Sequence, residues 1–554
     1  MKRGRKRGGG KVGEVRGWFS KCVTYEGEAY VIDNEQAAAV VADDFNAIVV
    51  ARAGSGKTRT IVAKIVYLIA CKGVKPEEIM AFVFNANAAR EINERLSKMM
   101  VDGKSIVEKA KIASTFHAFS RKIVYDACGG REKCGKILAG EKEDFILAVV
   151  LKMLKEPEWK DKIQRFIRGE EVEDNEEVED EEIASFSKMM AQFVNRGQQR
   201  FLGGEVTLAE RVEEYLKDEG IEEGERNFVE LGVECFRRYH WYLLDAKRKL
   251  KGFEEYGTDF NLIVSWASKL IWAGRGKVPG ILKNKKYILI DEYQDFSQLF
   301  LAAVEAIRGV AEDARLFVVG DDWQAINRFA GSDVEYFRSF EQYFPGDTRR
   351  YEITTNYRCN YVIVDTARKF MKKAMGEKGE FKAFSRRAGK VMLVNVKRNK
   401  IEYLKYLVKI IRENRKSKDI LILHRNNDTH LKISLEGLER ALEREVVKAG
   451  VLAEEEFKEK VRVMTMHKSK GLEAEVVIIL EADAGVIPKT YPDTRLFGVF
   501  GETEEVALND QIRLFYVAMT RAKKRLYIMH EKVPKKKKNG FIPYLGWGLE
   551  RWED

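Results

Sequence analysis

The chain has 554 residues, 45% of them hydrophobic and 33% charged, with a net charge of +11. At ~100–200 residues per domain that length implies several domains with real cores, and no apolar run nears the ~18 residues a membrane helix needs. The six cysteines (22, 71, 128, 134, 235 and 359) lie scattered without CxxC spacing and read as reduced, mostly structural thiols of a cytoplasmic protein.

In chain order, residues 1–20 open with MKRGRKRGGGK, basic and followed by no apolar segment, and are expected to form a disordered tail. Ala47–Ala51 reads as a buried strand. It leads into Ala51-Arg-Ala-Gly-Ser-Gly-Lys-Thr58 and then a helical pattern at Ile61, Val62, Ile65, Val66 and Ile69. Strand, glycine turn and helix together make a phosphate-binding loop. Backbone N–H groups of Ala53, Gly54, Ser55 and Gly56 approach the phosphates, Lys57 bridges the β- and γ-phosphates, and Thr58 holds Mg²⁺. Ile79–Phe84 is the next strand.

From about 121 to 250 the pattern becomes helical and charged, with the acidic run GEEVEDNEEVEDEE at Gly169–Glu182, and predicts an inserted helical domain. Tyr287–Ile290 is then a strand buried on both faces, followed at once by Asp291, Glu292 and Asp295. Clustered carboxylates need positive charge among them, and Lys57 with Mg²⁺ supplies it. Asp291 is placed to bind the metal and Glu292 to orient and deprotonate the attacking water. After strand Leu316–Val319, GDDWQ places Gln324 to sense the γ-phosphate.

A second strand series (Asp419–His424, Val461–Met464, Ala474–Leu480) predicts a second α/β core from about 346 to 530, and Lys535–Lys538 a basic tail over 531–554. The first core is expected over 21–120 and 251–345. Such sheets place ligands at the carboxyl ends of their strands. Hydrolysis also calls for an arginine against transition-state charge, and Arg358 in TTNYRCN and Arg521 in YVAMTRAKKRL are the candidates.

The ordered set DNEQ, ARAGSGKTR, FVFNANAAREI, STFHAF, DEYQD, GDDWQ, NYR, TMHKSKGLE and VAMTRAKKRL resembles the Rep/UvrD/PcrA-type superfamily 1A DNA helicases, and the GDDWQAI form resembles their helicase IV branch. The resemblance covers about Asp33 to Leu526. It implies two RecA-like cores in tandem, with a helical insertion in the first, ATP and Mg²⁺ in the cleft between them, and 3′→5′ movement along single-stranded DNA or a single/double-strand junction. On this reading Gln36 contacts the adenine edge, Arg59 and Tyr357 sandwich the ring, Glu473 meets the ribose, and Arg358 and Arg521 reach across from the second core. Phe84, Thr115, Phe116, His117, Phe329, Thr465, His467 and Ser469 match positions near the strand. Core packing is the competing reading for Phe84 and Phe116.

Two departures stand out. Asn327 and Ala330 flank Phe329 where many relatives carry Tyr and Arg. Only about 38 residues separate Asn426 from Thr465, so the large second-core insertion of relatives is reduced or absent. A DNA helicase of the cytoplasm or nucleoid, in repair, replication or recombination, is the expected function. The alternative is an ATPase that displaces a DNA-bound complex such as RNA polymerase.

Overall fold

The computed structural model describes every residue except 1–5, 108–110, 170–177, 203, 205, 246, 275–281, 283, 378, 387–388, 397–399, 430–431, 490–491, 532–539, 547–548 and 553–554. Most of the acidic run and the whole of Lys535–Lys538 lie outside the described residues.

Six strands form the first sheet: β1 (Asn46–Ala51), β2 (Ile79–Val83), β3 (Ala113–Thr115), β4 (Tyr287–Ile290), β5 (Arg315–Gly320) and β6 (Thr348–Ile353). Their order is β6-β1-β5-β4-β2-β3, every pair parallel. Alternate side chains of β1 enter different layers, Ile48 and Val50 on one face and Ala47, Val49 and Ala51 on the other. Both faces are therefore apolar, as a parallel sheet covered on two sides requires. The order sets β1, β5 and β4 side by side, so the loops after Ala51, Gly320 and Ile290 emerge together. Helix α1 (Lys57–Lys72) starts at Gly56, whose φ of +85° favours glycine, and ends at Gly73 with φ +66°.

Between β3 and β4 the chain leaves the core. Helix α2 (Phe116–Cys128) stays on the first sheet. Helices α3 (Lys142–Met153), α4 (Pro157–Arg168), α5 (Asp180–Phe201), α6 (Leu208–Tyr215) and α7 (Glu223–Leu244) build a body with its own core around Phe145, Met190, Phe193, Phe228 and Tyr239. Helix α8 (Phe260–Ala273) returns the chain to the sheet, packed on α2.

The second sheet comprises β7 (Lys390–Val396), β8 (Ile420–His424), β9 (Val461–Thr465), β10 (Ala474–Ile479), β11 (Ala522–Glu531) and β12 (Glu550–Trp552). It is again all parallel, in the order β9-β8-β10-β11-β7-β12. Between β8 and β9 the described helices are only Leu435–Lys448 and Glu454–Lys460, so the expected reduction of the second insertion is what the fold contains. Helix α9 (Glu504–Met519) leads into β11. Ahead of it, Phe497, Val499 and Phe500 leave the second core and are buried in the helical body, with Phe500 4.9 Å from Phe193 and Phe497 5.2 Å from Phe228 between ring centroids.

Three expectations differ from the fold. Lys6–Cys22 is a helix with Val15 and Phe19 buried, in place of a disordered tail. The first sheet continues past 345 through β6, an edge strand whose exposed charges hide its pairing with β1. Part of the C-terminal stretch is also structured, because Glu550–Trp552 pairs with β7.

Candidate active site

The phosphate loop follows β1 and is packed against the second core. A Cβ on Gly54, which has φ +68°, would lie 2.6 Å from Asn356 Nδ2 and 2.8 Å from Arg358 Cβ. Only glycine permits that approach. Asn356 Nδ2 donates to Ala53 O at 2.5 Å, and the Tyr357 N–H donates to Gly54 O at 2.9 Å. Gln36 Nε2 donates to Ser55 O at 2.8 Å. It is held there by a reciprocal cap in which Asp33 accepts from the Gln36 N–H at 2.7 Å.

At the head of α1, Lys57 Nζ is 3.4 Å from Glu292 Oε2 and Thr58 Oγ1 is 3.4 Å from Asp291 Oδ2. Burial, and after it the neighbouring Glu292, raise the pKa of Asp291. Burial would raise Glu292 too, but Lys57 and then Lys470 hold it below the usual carboxylate range. Glu292 has φ +51°, a left-handed conformation that costs a non-glycine residue about 1–3 kcal/mol. Gln294 Nε2 donates to its carboxylate at 2.5 Å. Asp291 and Thr58 thus offer a carboxylate and a hydroxyl side by side, with the carboxylate short of positive charge. That donor set fits Mg²⁺ completed by phosphate oxygens and water.

Arg521 enters from the second core. It is 1% exposed, donates through Nε to Val517 O at 2.8 Å, and holds Nη2 3.4 Å from Gln324 Oε1. Burial and then Arg358 lower its pKa to about 9, still charged at neutral pH. Gln324 is oriented by Asp321 Oδ2, 2.5 Å from its Nε2. Arg358 Nε donates to Glu473 Oε2 at 2.7 Å, and the other oxygen of Glu473 meets Lys523 Nζ at 2.6 Å. The Tyr357 hydroxyl bonds Asp33, and its ring lies 4.8 Å from Phe384. Arg59 lies 4.6 Å over the Tyr30 ring.

The strand-contact candidates divide into three groups. Phe329, 53% exposed, is edge-on to His467 of the second core at 5.6 Å. Burial, then Arg425 and Lys470, lower the His467 pKa to about 4, so its ring is neutral. Phe84 and His117 meet around Phe300, at 5.6 and 5.8 Å, and His117 also touches the half-exposed Phe260 at 5.3 Å. Thr115 caps α2 by accepting from the Ala118 N–H at 3.1 Å. The third group is turned inward. Phe116 is stacked between Phe82 and Phe300 at 4.3 and 4.6 Å, because the first turn of α2 faces the sheet. Ser469 is buried with its hydroxyl donating to Met466 O at 2.6 Å, and Thr465 is 8% exposed.

Several residues at the cleft escaped the sequence reading. Lys470 Nζ, from the second core, meets Asp295 Oδ2 at 2.5 Å and Gln324 O at 3.1 Å. Arg52 pairs with Asp321 at 2.8 Å and Asp322 at 2.6 Å and lies 4.0 Å over Trp323. Trp323, fully buried, belongs to the hydrophobic core of the second domain and is edge-on to Tyr516 at 5.4 Å. All sit inside recognisable motifs, but Lys470 and Trp323 find their partners across the cleft and Arg52 on a loop 269 positions away, so none leaves a local signal.

Comparison with known proteins matches residues 32–345 to the UvrD/REP helicase N-terminal domain and residues 435–532 to the UvrD-like helicase C-terminal domain. Among similar proteins, DNA helicase IV of Escherichia coli (strain K12) is 27% identical over 512 residues, 91% of this chain and 69% of that protein. A probable DNA helicase of Mycoplasma pneumoniae is 26% identical over 519 residues, 91% of this chain and 84% of that one. The ATP-dependent DNA helicase PcrA of Staphylococcus aureus is 24% identical over 404 residues, 72% and 48% of the two chains.

Proposed function

This chain belongs to the UvrD/REP helicase family, and from that premise we propose that it is an ATP-dependent DNA helicase and single-stranded DNA translocase that moves 3′→5′. One observation carries the reading. Arginines of the second core stand against the phosphate loop and Gln324 of the first, with Arg358 Cβ 2.8 Å from a Cβ built on Gly54 and Arg521 Nη2 3.4 Å from Gln324 Oε1. A nucleotide seated on Lys57 would touch both cores at once.

In this mechanism the N–H groups of Ala53–Gly56 and Lys57 cradle the phosphates, Gln36 reads the adenine edge, and Arg59 with Tyr357 encloses the ring. Glu473 turns to the ribose. Thr58 and Asp291 would hold Mg²⁺, which neutralises phosphate charge when bound. Glu292, kept ionised by Lys57, aligns the attacking water and takes its proton. Gln324 sets the water against the γ-phosphate, while Arg521 and Arg358 balance the charge that develops. In related phosphoryl-transfer sites such an arginine contributes ~10³–10⁵ in rate. Loss of the γ-phosphate removes the anion that both arginines share, so the cleft relaxes, and alternation of the two states steps Phe329 and His467 along the strand. Stacking on Phe329 tolerates any base, which suits a motor.

The test is strand displacement on 3′-tailed and 5′-tailed duplexes, each made as DNA and as RNA, beside an ATPase assay with and without single strands. Displacement confined to 3′-tailed DNA is expected. Displacement from 5′ tails overturns the polarity. DNA-stimulated hydrolysis with no displacement on any substrate would favour removal of bound protein complexes instead.

A further inference from the structure

Two aromatic rings beside the nucleotide site belong to none of the sequence motifs. Phe384 is 68% exposed, more than any other large apolar side chain among the described residues. Tyr30 is buried ahead of the helix that carries Gln36.

Phe384 lies on strand Lys382–Ser385, which runs parallel to strand Thr355–Asn360. Asn356 is opposite Ala383, so Tyr357 and Phe384, one residue further on, stand abreast on one face. Their ring centroids are 4.8 Å apart and their planes 38° from parallel. Backbone bonds fix which flank Phe384 takes. The Tyr357 N–H points to Gly54 O of the phosphate loop at 2.9 Å, whereas Thr354 O, on the opposite edge of the strand, accepts from the Lys382 N–H at 3.0 Å. Phe384 therefore packs on Tyr357 from the edge away from the phosphates, and the flank toward Gly54 is left to the base.

The other jaw is built the same way. The Arg59 guanidinium lies 4.6 Å over the Tyr30 ring, and the Tyr30 hydroxyl donates to Arg59 O at 3.1 Å. Tyr30 packs in turn on Phe19 of the N-terminal helix, 6.2 Å between ring centroids.

Cross-strand pairing is the ordinary account of an aromatic beside another on a sheet. It explains the contact but gives no reason for a ring left so far in water. Orientation does. The Tyr357 hydroxyl is bonded to Asp33, which fixes one end of its ring, and Phe384 opposes rocking about that bond. A guanidinium laid on an aromatic face is likewise held in plane. Jaws set before the nucleotide arrives lose less freedom when a base slides between them.

We infer that Phe384 and Tyr30 are positioning residues for the nucleotide base, Phe384 holding the Tyr357 ring and Tyr30 the Arg59 guanidinium in the planes between which a purine stacks. The inference rests on the reading of Arg59 and Tyr357 as the two jaws. It assigns both residues to the grip on the base and neither to the hydrolytic step.

The test measures equilibrium binding of ADP and of inorganic pyrophosphate, which has no base, to the full chain and to Phe384→Ala, Phe384→Tyr and Tyr30→Leu, beside DNA-stimulated steady-state hydrolysis. Phe384→Ala is expected to weaken ADP by about threefold to tenfold, the usual share of an aromatic pair, and to raise the KM for ATP by a similar factor. Pyrophosphate binding and kcat should stay within about twofold of wild type, and Phe384→Tyr should restore ADP. Tyr30→Leu should show the same split, and an equal loss on both ligands there would return Tyr30 to core packing alone. For Phe384→Ala, a smaller loss of ADP overturns the inference, as does tighter ADP binding, which would put the ring in the base's own slot. Equal losses on ADP and pyrophosphate also overturn it, because they would make Phe384 a support for the strand that carries Asn356 and Arg358. A wild-type chain that holds pyrophosphate as tightly as ADP would instead sink the jaws themselves, and that failure shows before any variant is made.

Discussion

Lys470 Nζ, carried by the second core, lies 2.5 Å from Asp295 Oδ2 of the first. It completes the answer to how DEYQD tolerates its carboxylates, since burial alone would push Asp295 far up its scale and Lys470 opposes that. Removing one partner of a buried pair typically costs about 3–5 kcal/mol. Lys470→Met should therefore lower stability by that order at pH 8 and by less at pH 5. Asp295, already raised and then raised further, takes up a proton as the pH falls and sheds its unpaired charge. Urea denaturation at the two pH values checks this, and an equal loss at both would contradict it.

Lys57→Ala should abolish ATP hydrolysis. Arg358→Ala and Arg521→Lys should keep nucleotide binding within a few-fold while slowing turnover by ~10³ or more. Steady-state kcat beside equilibrium nucleotide binding separates the two effects. Turnover that survives either arginine change removes that side chain from the mechanism.

Phe329 and Phe116 should behave oppositely, though both were candidates for base stacking. Phe329→Ala, at an exposed ring, should weaken single-strand binding by ~1–3 kcal/mol per stacked base with little change in melting temperature. Phe116→Ala empties a stacked core position and should cost about 3–5 kcal/mol of stability, while the folded fraction binds DNA normally. Binding and melting measured on the same samples would decide it.

His467, lowered to about 4, and His117 and His240, lowered by burial, are neutral in the folded chain. In the unfolded chain each binds a proton near its ordinary value of about 6.5. Below that pH the unfolded state holds more protons, so stability present at pH 7 is lost progressively toward pH 4. His467→Gln should flatten the acid limb of a melting-temperature profile between pH 6.5 and 4.5, and an unchanged limb would refute the assignment.

The strands were legible because parallel sheets bury both faces and write themselves as short apolar runs. Tyr287–Ile290 occupies the expected residues, and Ala47–Ala51 begins one residue earlier. The glycines of the phosphate loop were equally plain. Other features were hidden for stated physical reasons. Thr348–Ile353 is an edge strand with charges on its open side. Lys6–Cys22 carries glycines that disfavour a helix, and only docking of Val15 and Phe19 secures it. The inward turn of Phe116 depends on where α2 begins, and the bonds of Lys470 and Arg52 join residues more than a hundred positions apart.

The aromatic segment that the second core lends to the helical body has one more consequence. With Phe497 and Phe500 seated among Phe193 and Phe228, the second core cannot melt without emptying a socket in its neighbour. The chain would then lose both in one cooperative event, with a single calorimetric peak where separable modules would give two.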